Sequence, residues 1–273
     1  MSDTENYLDS FDGTKIFYTK DIPSNPKATI LIVHGIAEHC GRYEYVKNKF
    51  VENGYVVYKF DHRGHGKSDG KRGYVNSFKD FVEDIDSFVE LIKKEYSNIP
   101  LFIFGHSMGG FITACYGILY GDKICGQILS GAATGDIPFS VKLKSLKFPY
   151  FFRGQVPNQF CDLVCTNKDV VEQYKSDELV LKNTTVRLNL QIANSGIKWL
   201  KNNIKNYNCP CLILHGKEDK IVSPKSSVNF YDTISSKDKD IKLYDNLYHE
   251  ILNEDCKDNI LDDIIKWLNI RIS

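Results

Sequence analysis

Apolar residues in this chain follow two rhythms: short unbroken runs, and longer stretches spaced three and four apart. The opening differs, because Tyr7 to Ser10 and Lys15 to Thr19 flank an Asp12-Gly13 turn pair and predict a hairpin. Ala28 to Val33 is a continuous run rich in β-branched residues that ends at His34-Gly35. Runs of that kind suit a strand covered on both faces. Tyr55 to Phe60, Leu101 to Phe104, Ile124 to Leu129, Cys211 to Leu214 and Ile241 to Tyr244 repeat the theme. Between them Tyr43 to Glu52 reads as a helix stopped near Gly54. Phe78, Phe81, Val82, Ile85, Phe88, Val89 and Ile92 share one face of a helix over Phe78 to Tyr96. Further helices are predicted after Gly110 through Tyr120 and over Ile260 to Ile270. Strands alternating with helices predict an α/β fold, with a mostly parallel central sheet and helices on both faces.

One stretch breaks the rhythm. From Ala133 to about Asn203 no clear sheet strand is visible. Ile137 to Phe160 is dense in Phe and Leu and carries Lys142, Lys144, Lys147 and Arg153 with no acid. Val170 to Tyr174, Thr184 to Ser195 and Ile197 to Ile204 read as short helices. A long insert inside a compact α/β pattern is usually a lid. The expected organisation is a core of residues 1–132 and 205–273, with a helical cap of residues 133–204 inserted after the sixth strand, the hairpin strands included in the count.

Composition narrows the function classes. With 42% hydrophobic and 26% charged residues the chain can bury a core. Lys+Arg and Asp+Glu both number 35, and that balance argues against a nucleic-acid binder. No run approaches the eighteen apolar residues of a membrane span. Met1 to Glu5 is polar and acidic, unlike a secretory signal, so a cytoplasmic location is expected. Neither Cys161/Cys165 nor Cys209/Cys211 has a zinc-site gap or a complementary His pair, so the eight cysteines are read as reduced thiols. No metal or cofactor is expected.

The candidate chemistry centres on Ser107 in Gly105-His106-Ser107-Met108-Gly109. The pattern Gly-x-Ser-x-Gly alone is weak, since about 0.1 chance matches are expected in such a chain, and Gly66-Lys67-Ser68-Asp69-Gly70 fits it too. Context separates the two: a nucleophile elbow needs a strand directly before the Ser and a helix directly after it. Ser107 has both, whereas Ser68 lies in a polar Gly-rich loop. A serine hydroxyl needs a base to take its proton and a carboxylate to orient that base. In α/β-hydrolases these follow in the order nucleophile, acid, base. Of seven histidines only His249 lies after the last strand and before the closing helix. The loop after Leu214 offers two carboxylates, Glu218 and Asp219. An oxyanion hole needs two backbone N–H donors. The residue after the nucleophile, Met108, supplies one, and the turn at His34-Gly35-Ile36 supplies the other, with Ile36 the expected donor.

Five blocks carry a resemblance. His34-Gly35-Ile36-Ala37-Glu38-His39-Cys40-Gly41-Arg42-Tyr43 resembles the signature loop of monoacylglycerol lipases and related lysophospholipases. Asp61 to Ser68, Gly105 to Gly110, His215 to Asp219 and His249 to Glu254 are similar to further blocks of that family, in order along nearly the whole chain. Tyr174 to Leu179 resembles a piece of its cap. The resemblance implies the α/β-hydrolase fold and favours Asp219 over Glu218 as the acid. It implies ester hydrolysis at the glycerol end of a monoacyl lipid, under a cap that dips into membranes. It also implies that Glu38 and Arg42 sit near the alcohol-side pocket. The chain departs from the pattern at Ala37, where many members have Gly, and at Leu252, where some have a second His.

The expected function is therefore a serine hydrolase acting on monoacylglycerols or lysophospholipids through an acyl-enzyme on Ser107. It makes transient membrane-surface contact through the cap's apolar and basic residues. The alternative within enzymes is a carboxylesterase for small or xenobiotic esters, which a chain-length profile separates. A non-catalytic ligand-binding protein on this fold would be expected to lose a triad member, and all three candidates are present. A peptidase would need an amine-binding site, and nothing in the sequence reads as one.

Overall fold

The computed structural model describes residues 6–135 and 154–272. The strands are β1 (Asn6–Asp9), β2 (Lys15–Asp21), β3 (Ala28–Val33), β4 (Tyr55–Phe60), β5 (Leu101–His106), β6 (Gly126–Ser130), β7 (Gln155–Pro157), β8 (Asn183–Thr185), β9 (Cys211–Gly216) and β10 (Lys239–Tyr244). Eight of them form one sheet in the order β1-β2-β4-β3-β5-β6-β9-β10. The opening hairpin joins antiparallel, β2 on β4, and every pairing from β4 to β10 is parallel.

The unbroken apolar runs find their reason in the two cores. Along β3, Leu31 and Val33 face one core while Ala28, Ile30 and Ile32 face the other. A strand covered on both sides has no position at which a polar residue is cheap. The first core holds the apolar stripe of α2 (Phe78–Glu95), much of α3 (Met108–Tyr120) and Phe230 of the helix Pro224–Thr233. The second holds Val46 and Phe50 of α1 (Glu44–Glu52) and the apolar face of the closing helix Lys257–Asn269. Ser77 starts α2 with a reciprocal capping box to Asp80, which satisfies donors at the helix end.

Two local expectations are corrected. Thr184 and Thr185 are not helical: β8 pairs antiparallel with β7 in a small separate sheet, and the helix begins at Val186. Thr185 extends that pairing by donating its N–H to the Gly73 carbonyl, a tertiary contact that local propensity does not register. The helix Pro224–Thr233 was not anticipated either. It carries few apolar residues, and its signal was the proline at its first turn. The aromatic and basic stretch of residues 137–153 lies outside the described residues, apart from its last part, 154–160.

The segment between β6 and β9 is tied to loops at the carboxyl ends of the strands. Leu181 donates its N–H to the Ala37 carbonyl at 2.8 Å, and Glu250 donates to Val164 at 2.7 Å. Glu254 accepts from the Thr166 N–H at 3.0 Å and from the Thr166 hydroxyl. The His39 ring meets Asp177 at 2.8 Å. Among the described residues no helix is long and apolar enough to cross a membrane. All eight cysteines are free thiols.

Candidate active site

Ser107 occupies the one-residue bend between β5 and α3, with φ 55° and ψ −118°. That is a strained conformation for a residue with a Cβ, held only where surroundings over-determine it. Its N–H donates to Ser130 at 3.0 Å, and its carbonyl accepts from Phe111 and Ala133, both at 3.0 Å. The flanking glycines allow the close approach. A Cβ on Gly109 would stand 2.2 Å from the Val33 carbonyl oxygen, and one on Gly105 would stand 2.7 Å from that of Gly109. Ser68, the competing match, is a buried clamp: its hydroxyl accepts from Phe17 N–H at 2.8 Å and donates to the Asp61 carbonyl. It is thereby committed to holding the Gly-rich loop on β2.

The loop after β9 turns Asp219 inward, whereas its neighbour Glu218 is exposed. Asp219 Oδ1 accepts from the N–H groups of Ile221 (2.7 Å) and Val222 (3.0 Å). Oδ2 meets His249 Nδ1 at 2.6 Å and His215 Nε2 at 2.9 Å. A carboxylate accepts only, so both imidazoles present N–H toward it. That fixes the tautomer of His249 and leaves its Nε2 free to take a proton. Burial alone would raise the Asp219 pKa, but the charge and hydrogen bonds of His249 and His215 prevail and hold it well below the ordinary carboxylate range. Burial opposes a charge on His249, yet Asp219, with help from Glu250 and Glu38, raises its pKa above the ordinary imidazole value. His106 packs against it, ring centres 4.7 Å apart, with Nδ1 on the Ser130 carbonyl at 3.1 Å. Burial and the neighbouring His249 push His106 down to about 3, so it stays neutral.

The turn after β3 lies against the serine. A Cβ on Gly35 would sit 3.1 Å from that of Ser107, and Gly35 donates its N–H to Glu38 Oε1 at 2.5 Å. Ile36 lines the same cavity as Ser107 and His249, and Met108 is buried in the first turn of α3. The turn is braced from below by buried imidazoles. His62 donates its N–H to His34 Nε2 at 2.9 Å and its ring meets the His34 carbonyl at 3.0 Å, while Asp61 accepts from the Cys40 N–H at 2.7 Å. Burial keeps His62 neutral at about 3 and His65 at about 4.

Beside the imidazole lies a buried ion-pair bridge. Arg42 donates from Nη1 to Glu38 at 2.8 Å and to Glu250 at 2.6 Å, and from Nη2 to Glu250 at 2.7 Å. Its guanidinium lies 4.5 Å from the centre of the Tyr174 ring. Tyr43 donates to Glu38 and Asn253 to Glu250, each at 2.8 Å. Burial raises both carboxyls. Arg42 prevails at Glu250 and holds it at about 2, while Glu38, facing Glu250 as well, stays above the ordinary range. Phe160, Val164, Tyr174 and Ile221 form the apolar wall of the cavity that contains Ser107 and His249.

A family model described as "Serine aminopeptidase, S33" (Hydrolase_4) matches residues 24–256. The chain belongs to this α/β-hydrolase family. It is 32% identical to a monoacylglycerol lipase of Mycolicibacterium smegmatis, over 97% of this chain and 96% of that one. Among solved structures it superposes on a soluble variant of monoglyceride lipase from Saccharomyces cerevisiae in complex with a substrate analog. The TM-score is 0.88 at 26% identity, covering 100% of this chain and 97% of that one. The Paleococcus ferrophilus monoacylglycerol lipase gives 0.81 at 29%, covering 94% and 99%. The chain is thus a hydrolase of the lipase and esterase branch.

In this hydrolase the residues singled out from sequence converge. Ser107, His249 and Ile36 line one cavity, Asp219 stands behind His249, and Glu38 shares that cavity while Arg42 bridges it to Glu250. Three contributors went unassigned. Glu250 sits in a block quoted for His249, and a Glu next to a candidate base was the only signal. His215 was read as structural, and its second hydrogen bond to Asp219 emerges only from the turn that brings the two together. The wall residues Phe160, Val164 and Ile221 come from separate loops and carry no periodic pattern.

Proposed function

We propose that this protein hydrolyses carboxylic esters of monoacyl lipids, monoacylglycerols or lysophospholipids, through an acyl-enzyme on Ser107. Ser107 Oγ attacks the ester carbonyl while His249 Nε2 takes its proton, and Asp219 steadies the imidazolium that forms. The N–H groups of Ile36 and Met108 hold the oxyanion. His249 then protonates the departing alcohol, and water repeats the sequence to release the acid. Residues 133–204 act as the cap. The described part of it contributes Phe160, Val164 and Tyr174 to an apolar channel for the acyl chain, and its surface contact with lipid is transient. Glu38 and Arg42 stand on the alcohol side.

The observation that carries this reading is the single cavity in which a strained serine and a carboxylate-paired histidine meet an apolar wall. Relatives named monoacylglycerol lipase or monoglyceride lipase that match nearly the whole chain support it. The family description also names an aminopeptidase. A peptide's free amine would have to meet the Glu38–Glu250 pair, whose oxygens are already engaged by Arg42, Tyr43, Gly35 and Asn253. The test is labelling with a fluorophosphonate probe followed by mapping of the modified residue, with hydrolysis of long-chain monoacylglycerols measured alongside aminoacyl amides. Label on Ser107 and turnover of the lipid esters are expected. Label elsewhere, or turnover of the amides alone, would refute the reading.

A further inference from the structure

The cavity beside Ser107 has an apolar wall and a charged end, and the charge balance of that end bears on which alcohols it admits. The argument rests on the monoacyl-ester reading above and narrows its alcohol. His249 returns the proton to the departing alcohol, so the alcohol half of an ester leaves on the side of that imidazole. Glu250 follows His249 in the chain, and it lines the same cavity together with Glu38. Arg42 is the one Lys or Arg among the described residues that line this end. Its guanidinium is committed. It forms a two-pronged pair with Glu250 at 2.6 and 2.7 Å, shares one nitrogen with Glu38 at 2.8 Å, and is stacked on Tyr174. All three charged side chains are at least nine-tenths buried, with exposures of 4%, 10% and 6% for Glu38, Arg42 and Glu250.

A phosphate-bearing headgroup would bring negative charge to a place where two carboxyl side chains face one guanidinium. To reach that guanidinium it must displace Glu250 and leave a buried carboxylate unpaired, which is strongly unfavourable. A neutral polyol makes no such demand, because its hydroxyls donate to the free lone pairs of the same carboxylates. We propose that Glu250 is a specificity-determining residue. By closing Arg42 into a bridge with Glu38, it makes the alcohol side accept uncharged, hydroxyl-bearing alcohols and reject phosphate-bearing ones.

The experiment uses the full chain and three esters of one acyl chain: a monoacylglycerol, lysophosphatidylcholine and lysophosphatidic acid. In the wild type kcat/KM is expected to fall in that order, with a gap of about 100-fold or more between first and last, as like-charge juxtaposition is costly. Glu250→Gln keeps the shape and removes the charge. It should narrow that gap by about tenfold or more, chiefly through KM for the phosphate esters. Glu38→Gln should narrow it in the same direction, and decides together with the wild-type ratio if the first variant does not fold. Equal wild-type rates on the glycerol and phosphate esters would overturn the inference, as would a gap unchanged in the folded variants. Hydrolysis of none of the three by wild-type protein would overturn the monoacyl-lipid reading and this inference with it, an outcome distinct from undiscriminating hydrolysis.

Discussion

Ala37 holds a backbone φ of 66° next to the serine, in the left-handed region that disfavours a Cβ. Its carbonyl is pinned by the Leu181 N–H, so the conformation is imposed by neighbours. Ala37→Gly should relieve the strain and raise stability by up to about 1 kcal/mol, after the extra freedom of glycine in the unfolded chain is subtracted. A melting temperature unchanged or lowered would contradict this. Ser107→Ala should lower turnover by about 10⁴-fold or more. The pH profile has a definite sign. Catalysis needs His249 neutral, and Asp219 with its neighbours raises the His249 pKa above the ordinary 6.5. The acid limb of kcat/KM should therefore have its midpoint above 6.5, and activity should be lost as pH falls through it. A midpoint below 6 would argue that another group is the base.

At the scale of elements, the close passage of α3 over β3 is the tightest constraint on the site. Gly109→Ala would drive a methyl to 2.2 Å from the Val33 carbonyl and 2.4 Å from that of His34, both backbone atoms. We expect a loss of several kcal/mol, or no folded protein, measurable by denaturant unfolding. Much of this was legible beforehand, since strand, Gly-x-Ser-x-Gly and helix appear in immediate succession and the runs at β3, β4 and β5 are unbroken. Ser68 could be dismissed on context, and its two hydrogen bonds to Phe17 and Asp61 give the dismissal a structural cause. What stayed illegible depended on distant partners. Thr184 and Thr185 enter a strand because Gln155–Pro157 and Gly73 wait for them, and neither partner is visible in a local window. Glu250 gains its meaning only when Arg42, 208 positions away, reaches it.

For the molecule as a whole, the apolar wall is assembled from the segment between β6 and β9 and from the loop after β9. Phe160→Ser should weaken long-chain esters by about tenfold while leaving acetate esters nearly unchanged, since only a long chain reaches that wall. Equal losses on both would place Phe160 outside the acyl path. The same segment is clipped to the loop that carries His249: Val164 accepts the Glu250 N–H, and Glu254 takes Thr166 on one side and the Tyr248 N–H on the other. A displacement of the 161–166 stretch wide enough to admit a bulky ester therefore tugs on the peptide directly after the catalytic imidazole. Admission and proton transfer thus share one hinge. Occupancy of the channel by an inert long-chain ether should slow hydrogen–deuterium exchange at the Glu250 amide, 86 residues along the chain from the carbonyl that holds it.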